Sequence, residues 1–84
     1  MKGVDVMRDV KVLGPGCKRC DAAVQMIKDA AAIAGVAVQV CKVTDYAEIA
    51  GYGIVSTPGI VVDGRVVHAG GLPRPEDLQR WLAA

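Results

Sequence analysis

TDYAEIAGYGIVSTP, Thr44 to Pro58, decides the fold, because it settles which element comes after the second strand of this chain. Thr44 or Asp45 can cap a short helix running to about Tyr52, with Glu48 completing a capping box. The chain therefore goes from strand to helix before it returns to the sheet. Thr57-Pro58 then stands just before an apolar run. Proline there is confined to an edge, a strand start or a turn, and only X-Pro bonds take the cis form at small cost, so this bond is a candidate cis peptide. Immediately beyond it, GIVV and RVVHA are separated by Asp63-Gly64, the strongest hairpin signal in the chain.

Toward the N-terminus, VKVL (Val10 to Leu13) is a short β-branched run ended by GPG and reads as a buried strand entering a tight turn. Residues 1–9 either extend this strand or lie loose. From Lys18 to Ala34, Ala22, Ala23, Met26, Ile27, Ala30, Ile33 and Ala34 recur at spacings of three and four, the mark of a helix with one buried face. Gly35 is placed to end it through a left-handed cap. VAVQVCKV (Val36 to Val43) alternates as a second strand, and a right-handed crossover makes it parallel to the first. In RPEDLQRWLAA, Pro75 suits the first helical position, Glu76 and Asp77 suit the first turn, and Leu78, Trp81 and Leu82 share a face. The order is β-α-β-α-β-β-α, an α/β fold with a four-stranded mixed sheet and helices packed on its faces.

Eighty-four residues, 52% of them hydrophobic and none of them Phe, make one domain with a small core rich in Val and Ala. Ten Lys and Arg against nine Asp and Glu are scattered rather than clustered, which favours neither nucleic acid nor an anionic membrane. No apolar run reaches the roughly 18 residues that span a bilayer, so no membrane insertion is expected. Asp5, Arg8 and Asp9 interrupt the start where a secretory signal would be apolar, and a cytoplasmic location is expected. Three cysteines are too few for a stapled extracellular scaffold, and in a reducing compartment a C-x-x-C is more often catalytic or metal-binding than structural.

The pair sits in LGPGCKRCDAAVQMI, Leu13 to Ile27, where strand gives way to helix. Cys17 falls at or just before the helix N-terminus, where unpaired amides and the positive dipole end favour a thiolate, and Lys18 and Arg19 add positive charge. Cys20 lies one turn on, within reach of a mixed disulfide formed at Cys17. Spacing and polarity fit a nucleophile and its resolving partner. A cis Thr57-Pro58 bond would turn the Thr57 backbone toward the cysteines as an edge for an extended substrate, with Pro58 helping to keep metal from the thiols.

These residues resemble the small thioredoxin-like redox-active disulfide proteins of bacteria and archaea, related to glutaredoxins and minimal thioredoxins. The resemblance runs from Met7 through KVLGPGCKRC, VAVQVCKVTDYAEIAGYGIVSTPGIVVDGRVVHAGGLP and EDLQRWL. It implies a minimal thioredoxin fold as a single domain over 1–84, with 1–6 a dispensable extension. It also implies Cys17 as nucleophile, Cys20 as resolving thiol and Pro58 as the cis-proline. The implied activity is thiol-disulfide exchange with protein or small-thiol partners, with a reductase or thiol donor to regenerate the dithiol. No bound organic cofactor is needed, and a monomer is expected. Lys-Arg replaces the Gly-Pro and Pro-Tyr of ordinary thioredoxins and glutaredoxins, and strand one carries Lys11 and no carboxylate.

Two other readings stand beside this one. Copper-carrying ferredoxin-like domains also place C-x-x-C between a first strand and a helix, which makes a thiol-based metal or metalloid binder the alternative. Those domains, however, have another strand directly after strand two. A non-catalytic interaction module is the third reading. A zinc site from Cys17, Cys20, Cys41 and His68 has the ligand count but lacks paired knuckle spacing. Cys41 reads as a half-buried strand residue, His68 as a solvated strand-end imidazole, and Tyr46, Tyr52 and Trp81 as core or rim rings.

Overall fold

Seven elements follow one another in this computed structural model, which describes residues 7–14, 18–54 and 56–83. They are β1 (Arg8–Leu13), α1 (Lys18–Ala34), β2 (Val38–Val43), α2 (Tyr46–Gly51), β3 (Gly59–Val62), β4 (Arg65–Ala69) and α3 (Pro75–Ala83). The sheet order is β2-β1-β3-β4. β1 and β2 are parallel with Val12 opposite Lys42, whereas β1–β3 and β3–β4 are antiparallel. The fold is the α/β arrangement with a four-stranded mixed sheet that the element order implies. Residues 1–6 lie outside the described part.

Alternation along β1 and β3 divides the core into two layers. Val10, Val12, Ile60 and Val62 face α1 and α3, where they meet Ala23, Ile27, Ala30, Leu78 and Leu82. Leu13 and Val61 point the other way and are covered by Ile49 of α2 with Tyr52 and Ile54. Small residues on α1 let it sit close to the sheet, and Gln79 Nε2 donates to Ala30 O at 3.2 Å, tying α3 to α1. Among the described residues, no helix is long and apolar enough to cross a membrane.

Local signals place the ends of these elements. Gly35 has φ 70°, with Gly35 N–H donating to Ala32 O and Val36 N–H to Ala31 O, the paired bonds of a Schellman cap. Asp45 caps α2 by accepting from Ala47 N–H at 3.2 Å. Asp63 and Gly64 both have positive φ, as a two-residue hairpin turn requires. Asp63 also closes the far end of the sheet: Asp9 N–H donates to Oδ1 at 3.0 Å and Arg8 Nη1 to Oδ2 at 2.8 Å. The Arg8 bond first, then the Asp9 amide, hold the Asp63 carboxyl below its ordinary range. Between Ile60 and Val61 the β3–β4 register slips by one residue, because His68 pairs with Ile60 and Val66 with Val61.

Several expectations need correction. β2 begins at Val38 rather than Val36, whereas β1 reaches back to Arg8, the extension of that strand already allowed for. Ile33, assigned to the buried face of α1, is 79% exposed, and Ala31 is buried in its place. Tyr46 is exposed on α2 rather than at a core or rim.

Candidate functional site

The C-terminal end of β1 meets the start of α1 at one corner of the sheet. Gly14 leaves β1 with its N–H donating to Val43 O at 2.9 Å, which holds the turn against the end of β2. Cys20 is the third residue of α1, and its side chain is 1% exposed within the α1–α3 core. Its Sγ lies directly against the Gly14 backbone: a Cβ built on Gly14 would overlap it. The same built atom would stand 3.7 Å from Thr57 Cβ. Cys20, Gly14 and Thr57 therefore share one small space. Thr57 is half-buried, the Thr57–Pro58 peptide is cis, and Pro58 is fully buried with its carbonyl accepting from Gly70 N–H at 3.0 Å.

The structure brings together Cys20 and the Thr57–Pro58 turn. Cys17 and the Arg19 side chain lie outside the described residues, although Cys17 directly precedes the first residue of α1. Lys18 is exposed at the first position of that helix.

Two charged residues at this corner escaped the sequence reading. Lys42 Nζ donates to Asp21 Oδ1 at 2.5 Å, joining the exposed edge of β2 to the residue after Cys20. The ammonium is raised above its ordinary pKa of 10.5, first by the hydrogen bond to Asp21, then by that carboxylate's charge, with a further contribution from Cys20. The register brings them together: Lys42 pairs with Val12, and parallel partners share a face, which here is the α1 face. Gly14 was read only as part of a turn, and its contact with Cys20 is a tertiary fact.

Cys41 is exposed rather than half-buried. Its strand is an edge of the sheet, and its partner Lys11 belongs to the face opposite Cys20. The Lys11 ammonium is raised by the charge of Tyr52, then by Asp9 3.8 Å away, and Cys41 adds a smaller effect. Cys41 thus stands apart from the Cys20 corner. His68 is half-buried rather than solvated: its ring centroid is 5.7 Å from that of Trp81 and its Nε2 is 3.0 Å from Gly71 O. The described members of the suggested zinc quartet are therefore dispersed. Among the described residues, no three of His, Cys, Asp and Glu are placed to hold a metal ion.

Comparison with known proteins agrees with this architecture. Residues 8–83 match the family model described as thioredoxin domain. The chain is also 34% identical over 79 residues to a thioredoxin of Methanocaldococcus jannaschii, an alignment covering 94% of this chain and 91% of that one.

Proposed function

The chain belongs to the thioredoxin-domain family, and on that premise we propose that it is a thiol-disulfide oxidoreductase working through Cys17 and Cys20. The observation that carries this reading is the placement of Cys20 Sγ, buried at the start of α1 against Gly14 and beside Thr57.

Cys17 precedes the first residue of a 17-residue helix, where unpaired amides and the dipole favour a thiolate; Lys18 and Arg19 add positive charge. That thiolate attacks a partner disulfide, forming a mixed disulfide at Cys17 and releasing one partner sulfur as thiolate. Cys20 then attacks Cys17 Sγ, forming the Cys17–Cys20 bond and releasing the second partner sulfur. The partner gains two electrons and the dithiol loses them, so a reductase or thiol donor restores it. Thr57 and Pro58 supply the wall against which an extended partner segment lies. We place this activity in the cytoplasm, on a monomer, with protein or small-molecule disulfides as substrates.

Reduction of insulin or of a small disulfide tests the reading. Cys17→Ser abolishes turnover, and Cys20→Ser accumulates partner covalently bound at Cys17. Turnover by Cys17→Ser equal to that of the parent protein refutes it.

A further inference from the structure

We propose that the cleft between the β3–β4 hairpin and α3 binds a small aromatic carboxylate, held by Arg65 and walled by Trp81. The site lies at the end of the sheet away from Cys20 and goes beyond the exchange reaction proposed above.

Strand register builds the cleft. Its volume is about 320 Å³, and it is lined by Arg8 of β1, by Val62, Asp63, Arg65 and Val67 of the hairpin, and by Trp81 of α3. Cavities that take small organic ligands run from about 300 to 1,000 Å³, so this one suits a single ring rather than a dinucleotide. Val62 and Arg65 are direct cross-strand partners and share a face, and Val62 belongs to the core under α1 and α3. Arg8 lies on that same face, two residues before Val10. An arginine thus occupies an inward-facing position on β4, an edge strand, beside Val67 and Trp81, which are half-buried against that core. Because β1 runs from Arg8 to the Cys20 corner, the two sites are roughly 20 Å apart along the strand.

The charges select the ligand. Among the described residues that line the cleft, Asp63 is the one carboxylate, and both of its oxygens are engaged, Oδ2 by Arg8 Nη1 and Oδ1 by the Asp9 amide. Arg8 therefore offsets the charge that would otherwise repel an anion. Arg65 is exposed and has no ion-pair partner among the described residues, so two guanidinium groups against one carboxylate leave the lining with a single net positive charge. A guanidinium presents paired N–H donors that match the two oxygens of a carboxylate. Val62, Val67 and the Trp81 ring add apolar surface, which an aromatic body can use and a bare inorganic anion cannot.

Trp81 is the single tryptophan of the chain, so its fluorescence reports the cleft directly. The full chain is titrated with benzoate, with benzyl alcohol as the uncharged counterpart and with inorganic phosphate, while amide shifts in ¹H–¹⁵N spectra locate the contact. Benzoate should saturate the Trp81 signal with a Kd of about 1 mM or tighter. It should shift residues 62–67 and 81 and leave Lys18 to Cys20 unmoved. Arg65→Met should weaken benzoate binding about tenfold or more, with Arg65→Lys between parent and Met, and should not change the weaker response to benzyl alcohol. Asp63→Asn makes the lining more positive and should tighten benzoate binding. Equal responses to benzoate and benzyl alcohol, or to benzoate and phosphate, overturn the inference, as does benzoate binding that Arg65→Met leaves intact. Absence of saturable benzoate binding overturns it too, the more so if Arg65→Met self-associates, since the inward arginine then guards the edge of β4. If Arg65→Met does not fold, the ordering of parent, Arg65→Lys and Asp63→Asn decides. None of these readouts involves cysteine chemistry, so failure here leaves the exchange reaction standing, and failure of that reaction leaves this site standing.

Discussion

Replacing Gly14 by alanine adds one methyl group at the most crowded point of the site. The added Cβ would overlap Cys20 Sγ, whereas nonbonded atoms ordinarily sit about 3.5–4.0 Å apart. This sulfur cannot swing aside cheaply. It hangs one bond from Cys20 Cβ, its side chain is 1% exposed, and its helix is packed against the sheet. Relief requires either a new rotamer at Cys20 or separation of β1 from α1, and overpacking of this kind costs about 1–3 kcal/mol. For 84 residues, total stability is about 4–13 kcal/mol. The expected fall in Tm is roughly 5–20 °C.

The sulfur's share can be isolated. In a Cys20→Ala background the overlapping atom is gone, and the new methyl would find Cys20 Cβ and Thr57 Cβ, each at 3.7 Å, an ordinary contact. Gly14→Ala should then cost almost nothing, and a double-mutant cycle by thermal unfolding under reducing conditions should show coupling of about 1–3 kcal/mol. If Gly14→Ala shifts Tm equally in both backgrounds, the contact between glycine and sulfur is not what this position provides.

Leu78→Ala should destabilise the protein by about 2–5 kcal/mol in denaturant unfolding, since Leu78 is 2% exposed in the layer joining α3 to α1. A loss below about 0.5 kcal/mol, the scale of an ordinary surface substitution, would mean that α3 is not packed as described. Asp63 contributes to the acid limb of stability. Its carboxyl is held below the ordinary 3.8 by Arg8 and the Asp9 amide, so its contribution is complete above that value and disappears as pH falls through the lower folded-state pKa. Asp63→Asn should therefore flatten the stability profile below about pH 4 and leave its slope near neutrality unchanged; an unaltered acid limb refutes the assignment.

Where local chemistry fixes structure, the sequence was legible. Asp63-Gly64 takes two positive φ values, Gly35 closes α1, Asp45 caps α2, and Pro75 opens α3. Each signal acts within a few residues of its effect. What depended on strand order was not legible. Nothing in VAVQVCKV says that this strand lies at an edge, and the edge position is what exposes Cys41 and lets Lys42 reach Asp21. The same limit applies to Ile33, which is 79% exposed although Ala30 and Ala31 of the same turn are buried, because helical spacing does not say how far neighbouring elements wrap round α1. At the site, Cys20 and Thr57-Pro58 stood out by residue type and context. Gly14, Asp21 and Lys42 did not, because a small residue in a turn and a salt bridge between distant elements acquire meaning only from their neighbours.

The slipped register between β3 and β4 reaches further than its hairpin. Because of the extra residue, Val67 packs on the layer shared with α3 while His68, next in the chain, stays beside Trp81. Two consecutive side chains thus grip the closing helix, which an evenly pleated strand would not permit. Deleting Val67 would tidy the ladder yet unlatch the C-terminal end of the molecule, so the irregular strand acts as its clasp.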